Sequence, residues 1–194
     1  MNPPNVAALY VERKGPYFSL LSSRRCWDEN RDARTYPGPY PVVAHPPCGP
    51  WGRLKGLCTK QDPNLALFAV DQVRLYGGVL AHPAYSGLWR ACRLPRPGEF
   101  LDKWGGWTLN VDQVDYGHKA QKQTWLYIVG MKRKDFYRSD LWKNRPGPGI
   151  PTHTVTSSLR KAASLPKMWS DAARQTPPEF GKFLIEIASR CSKI

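Results

Sequence analysis

Val42-Val43-Ala44-His45-Pro46-Pro47-Cys48 is the stretch on which the fold turns. Small apolar and β-branched residues run into two prolines, which can neither donate to a sheet ladder nor continue a helix, so a buried strand must stop near His45. A cysteine just past such a strand is a thiol held at the rim of a sheet. Working outward, Val6-Ala7-Ala8-Leu9-Tyr10-Val11 is a second apolar run, closed by charges and Gly15-Pro16. Val79-Leu80 and Trp125-Leu126-Tyr127-Ile128-Val129, the latter ending at Gly130, predict two more strands.

Helices fall between and after these runs. From Asp62 to Tyr76 the residues Leu65, Phe68, Ala69, Val73 and Tyr76 recur at helical spacing, with Asp62 as N-cap, Pro63 in the first turn and Gly77-Gly78 as the stop. Thr176-Pro177-Pro178-Glu179 predicts a capping box, followed by an apolar stripe of Phe180, Phe183, Leu184, Ile187 and Cys191. Strands alternating with helices imply a single α/β domain with a mostly parallel central sheet. Residues 1–130 form its core, 131–175 a small basic lobe or loop segment, and 176–194 a helix packed on the core. Ligands of such sheets bind at the carboxyl ends of the strands, where Gly15, Cys48, His82 and Gly130 are expected.

Composition narrows the function classes. A chain of 194 residues with 41% hydrophobic and 23% charged residues suits one folded domain rather than a disordered chain. No apolar run approaches the roughly 20 residues of a membrane span, and Met1-Asn2-Pro3-Pro4 lacks the order of a signal peptide, so a cytosolic protein is expected. Cys26, Cys48, Cys58, Cys92 and Cys191 are odd in number and not closely paired, which argues against a disulfide framework and a Cys-x-x-Cys metal site. The ligand pattern of zinc deaminases is likewise missing, and no metal is expected.

Twenty-nine Lys and Arg against 15 Asp and Glu leave a net charge of +14. From Lys119 onward there are 15 basic and 5 acidic residues, so +10 of that charge lies in the last two-fifths of the chain. Within it Lys132, Arg133, Lys134, Arg138, Lys143 and Arg145 are interleaved with Phe136, Tyr137 and Trp142. Nucleic acid is the partner that such a field favours, because neutralised phosphates release counterions; a solubilising surface is the alternative.

Cys48, positioned by rigid prolines with His45 three residues before it, has the makings of a nucleophile, since thiolates attack carbon far better than hydroxyls do. The plain alternative is a small buried cysteine. His82 titrates near neutrality, or is a structural histidine before Pro83. Trp51 either stacks on a base or packs in the core.

Several segments, in order, resemble the motifs of cytosine-C5 DNA methyltransferases. Val43-Ala44-His45-Pro46-Pro47-Cys48 looks like that family's catalytic Pro-Cys motif, and Trp27-Asp28-Glu29-Asn30 like the motif whose acidic residue receives the cofactor's ribose. Gly78-Val79-Leu80-Ala81-His82-Pro83 stands in place of its Glu-Asn-Val motif. Tyr116-Gly117-His118-Lys119-Ala120-Gln121-Lys122-Gln123 is similar to the start of its Phe-Gly-x-Pro-Gln-x-Arg-x-Arg strand motif. The resemblance covers about residues 6 to 130 and implies a methyltransferase, Rossmann-like type of sheet. It implies that Cys48 attacks C6 of a flipped pyrimidine, with His45 and His82 nearby. S-adenosylmethionine would sit against Tyr10, Gly15, Tyr17, Asp28 and Pro46. DNA would contact Pro47, Trp51, Arg53, Gln121, Gln123, Lys132, Arg133 and Lys134. Such a compact modification enzyme suits a bacteriophage or other mobile element.

The sequence also departs from that pattern. One glycine remains in Glu12-Arg13-Lys14-Gly15-Pro16-Tyr17, Ala81 replaces the family's base-contacting glutamate, and Gln121 and Gln123 replace its arginine-bearing pair. Three expectations stay open: a pyrimidine C5-modifying enzyme, with S-adenosylmethionine or another donor; a catalytically silent DNA-binding relative; and a phosphate-binding or nucleotide-processing protein that shares only the sheet.

Overall fold

The structure, a computed structural model, describes residues 4–52, 55–57, 61–155, 165–168 and 170–192. Its strands are β1 (Ala7–Leu9), β2 (Cys26–Trp27), β3 (Val42–Ala44), β4 (Gly78–Pro83), β5 (Trp107–Asp112) and β6 (Gln123–Val129). Its helices are α1 (Tyr17–Leu20), α2 (Asn64–Tyr76), α3 (Gly87–Ala91), α4 (Arg133–Arg138), α5 (Asp140–Lys143), α6 (Ser170–Arg174) and α7 (Pro178–Ser189). The strands form one sheet in the order β2-β1-β3-β4-β6-β5.

Strands β2, β1, β3 and β4 are parallel, as expected of an α/β sheet. They are buried on both faces, which is why β1 and β3 read as unbroken apolar runs. On one face Ala8, Val43, Val79, Leu126 and Ile128 meet Phe180, Leu184 and Ile187 of α7 and Phe136 of α4. On the other, Leu9, Val42, Leu80 and Tyr127 meet Ala66, Ala69, Val70 and Val73 of α2 and Leu88 of α3. The result is a three-layer sandwich. Among the described residues no helix is long and apolar enough to cross a membrane.

Three details differ from expectation. Strand β6 runs antiparallel to both β4 and β5, so Gly130 lies at the amino edge of the parallel strands and not at the carboxyl edge. An apolar run does not encode its direction, which is set by the connection before it. Strand β5 was also not expected, being an edge strand that includes the exposed Asn110, whereas the two-residue β2 ends just before Asp28, where the resemblance implies an acidic residue at a strand end. Finally, the capping box does not form. Helix α7 takes Pro177 as its N-cap, one residue later than the box requires, and Glu179 instead pairs with Lys182 at 2.7 Å. At α2, Asp62 does cap through its side chain, accepting the Asn64 N–H at 2.9 Å, although Pro63 is the boundary residue.

Two glycines fix the amino edge. At Gly78 (φ +118°) a Cβ would collide with the backbone of Val42, and at Gly130 (φ +88°) with the carbonyl of Ser192. These contacts seat β4 against β3 and hold the end of α7, where the Ser192 N–H donates to Gly130 at 3.0 Å.

Candidate active site at the carboxyl edge

In the strand order β2-β1-β3-β4 the direction of winding reverses between β1 and β3, so the loops after these strands part over a crevice, the usual ligand position of an open α/β sheet. The loop after β1 carries Tyr10, Glu12 and Gly15 and leads into Tyr17 at the start of α1; the loop after β3 carries His45, Pro46, Pro47 and Cys48. The His45 N–H donates to the Leu9 carbonyl at 3.0 Å and ties the two together.

Tyr17 is buried at 1% exposure, and its hydroxyl lies 2.6 Å from His45 Nε2. Burial pushes the phenol well above its ordinary range. Burial, helped by the charge of Lys122 and by His82, pushes His45 down to about 3. Near pH 7 this is a contact between a neutral phenol and a neutral imidazole. His45 therefore supplies no imidazolium to a neighbouring thiol.

Among the described residues, Lys122 is a cation that acts on Cys48. Its ammonium lies within Coulombic reach of both Cys48 and Glu12, each of which opposes the depression that burial imposes on it. The Lys122 Nζ donates to the Arg174 carbonyl at 3.2 Å, and its backbone N–H to Asp112 at 2.8 Å. Glu12 is raised by desolvation, while Lys122, the Thr176 N–H and Arg174 act to lower it. The reversed strand β6 thus brings a lysine from one side of the sheet, and the chain before α7 brings Arg174 and Thr176, to the loops after β1 and β3. Cys48 itself is exposed and leads a 3₁₀ turn at Gly49–Trp51. Sequence reasoning passed over Lys122 because it lies between Gln121 and Gln123, which the family pattern singles out; both of these are exposed.

His82 lies under this loop at 2% exposure, facing away from its neighbour Ala81, whose side chain joins the opposite core. Neither ring nitrogen makes a hydrogen bond of good geometry among the described residues, although the Pro47 carbonyl lies close enough to interact with the ring. Burial pushes it down to about 4, and the nearby Pro47 carbonyl counters only part of this. Its ring leans on Trp89 with centroids 6.2 Å apart.

The residues assigned to a cofactor are largely committed within the protein. Tyr10 donates to Gln72 at 3.0 Å, and Tyr17 is bonded to His45. Asp28 Oδ1 accepts the N–H groups of Asn30 and Arg31 at 3.0 and 3.2 Å. Gly15 closes a turn onto the Glu12 carbonyl at 2.9 Å, and Pro46 is buried. The fit to S-adenosylmethionine is thus partial: Tyr10 and Tyr17 are spent on internal hydrogen bonds, whereas the Asp28 carboxylate is engaged through Oδ1 alone.

The residues assigned to DNA divide. Pro47 and Trp51 lie on the Cys48 loop and Gln121 and Gln123 flank Lys122 in the chain, whereas Arg53 lies outside the described residues. Trp51 is half-buried and pins the loop: its Nε1 donates to the Pro63 carbonyl at 3.2 Å, and its own carbonyl accepts from Ser86 at 3.3 Å. Lys132, Arg133 and Lys134 follow β6 at the amino edge, separated from Cys48 by the length of that strand, about 20 Å. There Arg133 is engaged with the Glu99 carbonyl at 2.9 Å; elsewhere in the basic segment Arg145 stacks 3.5 Å over Trp142. Comparison with protein-family models, with curated proteins and with solved structures gives no match.

Proposed function

We propose that this protein modifies C5 of a pyrimidine in DNA, with Cys48 as the nucleophile and Lys122 as the cation that stabilises its thiolate. The observation that carries this reading is the convergence of an exposed thiol, a partly desolvated ammonium and a raised carboxyl at the crevice between β1 and β3. A lysine near a cysteine favours the charged thiolate and hence attack on an electron-poor carbon. The sheet, mostly parallel with one reversed strand beside its far edge, is compatible with the methyltransferase type that the motif order implies.

In the proposed chemistry the thiolate forms a bond to C6 of the ring, and the C5–C6 π electrons move onto C5. C5 then takes an electrophile, loses its original proton, and the S–C6 bond breaks to restore the ring. Glu12, with its raised affinity for a proton and its place beside Lys122, suits the proton transfers. The base must be unstacked, at a cost of roughly a few kcal/mol. Binding is supported by the cations at this edge, Arg13, Lys14, Lys119, Lys122, Lys167 and Arg174. No step is routed through S-adenosylmethionine, and the electrophile after attack is any one-carbon donor or, in its absence, a solvent proton.

That last possibility supplies the test. Addition of a thiolate to C6 makes the C5 hydrogen exchange with solvent even without a donor. Oligonucleotides incubated with the protein in heavy water should gain deuterium at C5 of the target pyrimidine, and Cys48→Ala should abolish the gain. Absence of exchange, and of a covalent adduct with a 5-fluoropyrimidine oligonucleotide and one-carbon donors, would overturn the enzymatic reading. Ala81, which cannot hold the base as the family's glutamate would, favours a second reading, a silent DNA-binding protein. It predicts salt-steep binding to DNA with no exchange.

A further inference from the structure

Beside the Cys48 loop, on the flank where β4 passes into α3, an open concavity of about 450 Å³ is lined by Pro50, Trp51, Gly52, Lys55, Tyr85, Gly87, Arg90 and Ala91. Its volume lies within the range of small-ligand sites, roughly 300–1,000 Å³. Two features of its lining point to one kind of occupant. First, among the described residues it pairs two aromatic rings with two cations and has no carboxylate in its lining. Second, one of those rings is displayed rather than packed. Tyr85 is 71% exposed, holds a left-handed backbone (φ +62°), and rests on Trp125 with ring centroids 4.8 Å apart. Large aromatics rarely adopt that backbone region, and nothing about core packing requires a tyrosine there.

We propose that this concavity holds the nucleotide flanking the one presented to Cys48, its base lying against Tyr85 and Trp51 and its phosphate meeting Arg90 and Lys55. Aromatic faces that accept any base, set beside cations that follow the backbone, form the general apparatus for a single strand. The placement suits a flipped-base reaction. Trp51 is three residues after Cys48 and its carbonyl accepts from Ser86 Oγ at 3.3 Å, which ties the loop carrying the thiol to the turn carrying Tyr85. The second concavity, on the far side of Arg90, mixes Arg93 and Arg96 with Glu99 and Asp102 and lacks this uniform charge. The proposal rests on the reading of DNA as substrate.

The test compares deoxycytidine and thymidine monophosphates with trinucleotides of the same bases, in competition against a labelled single-stranded oligonucleotide, for the full chain and for Tyr85→Ala and Arg90→Gln. In the wild type the trinucleotide should bind more tightly than the monophosphate. Tyr85→Ala should cut that ratio roughly 5- to 100-fold, the range of one lost base stack. Arg90→Gln should lower the slope of log affinity against log salt by about 0.7, the contribution of one phosphate on a single strand. Both side chains are exposed, so folding does not depend on them, and either variant tests the site independently. An unchanged ratio and slope, with C5 exchange by the wild type intact, would remove this subsite and leave the proposed reaction standing. A wild type that binds no oligonucleotide would remove both.

Discussion

The two edges of the sheet are built in opposite ways. At the amino edge, Gly78 and Gly130 let backbones meet without side chains between them, and Trp107 donates its indole N–H to the Met131 carbonyl at 2.7 Å. At the carboxyl edge, His82 makes no hydrogen bond of good geometry among the described residues, Lys122 is partly desolvated, and Tyr10, Lys14 and Tyr85 adopt left-handed backbones. One edge is arranged for close packing. The other holds groups at some cost to the fold, the pattern expected where a site is kept ready for chemistry. Perturbing each edge should therefore produce different signatures, large in stability at the first and large in activity at the second.

The strongest test of the contrast is Gly78→Ala. The new methyl group must enter the backbone of Val42 while φ stays positive, and neither β3 nor β4 has room to shift, being buried on both faces. A loss of about 3 kcal/mol or more is expected, read from the midpoint of denaturant unfolding. A loss under about 1 kcal/mol would show that the amino edge is not the tightly specified one.

Acidification probes the other edge almost as hard. His82 is held near pKa 4 in the fold against an ordinary value of about 6.5 in the unfolded chain. Below pH 6.5 the unfolded chain takes up a proton that the native site refuses. Stability from this group is thus whole above about pH 6.5 and falls as the pH drops toward 4, by up to about 3 kcal/mol. His82→Gln should make this part of the stability profile shallower, leaving the slope that His45, held near 3, contributes over the same range. A profile of unchanged slope would mean that His82 finds a partner and stores no such cost.

This asymmetry also explains what the sequence made legible. The runs Val6–Val11 and Val42–Ala44 announce buried parallel strands because both faces are apolar, and Pro46-Pro47 marks where one ends. Residues Trp125–Val129 look the same, yet their strand is reversed, since direction comes from the path between Trp107 and Gln123. The reversal carries Lys132, Arg133 and Lys134 to the edge away from Cys48, so a basic run that looked local to the site is not. Of the candidate site, the sequence displays the part that depends on one loop, His45 and Cys48. The part that depends on strands meeting, at Lys122, Glu12 and the Tyr17–His45 contact, was not legible, because no local pattern records which side chains the topology brings together.

A smaller effect is expected from Tyr17→Phe. It keeps the buried ring and removes only the hydroxyl that bonds His45 at 2.6 Å. Losing one buried hydrogen bond and leaving an imidazole nitrogen without its partner should cost about 1–2 kcal/mol in the same unfolding measurement. A change near zero would mean that His45 takes another donor or acceptor, and would weaken the picture of two loops locked across the crevice.

The smallest stability effect separates the edges most sharply. Cys48 is exposed and contributes to neither core cluster, so Cys48→Ala should leave the unfolding free energy within about 0.5 kcal/mol of the parent. The same substitution removes the thiol on which the proposed chemistry depends, and C5 exchange should fall to background. A residue that the fold barely needs and the reaction wholly needs is what a catalytic position at this edge requires. If the substitution instead cost several kcal/mol, Cys48 would be a packing residue of the loop after β3, and the carboxyl edge would differ from the amino edge in degree rather than in kind.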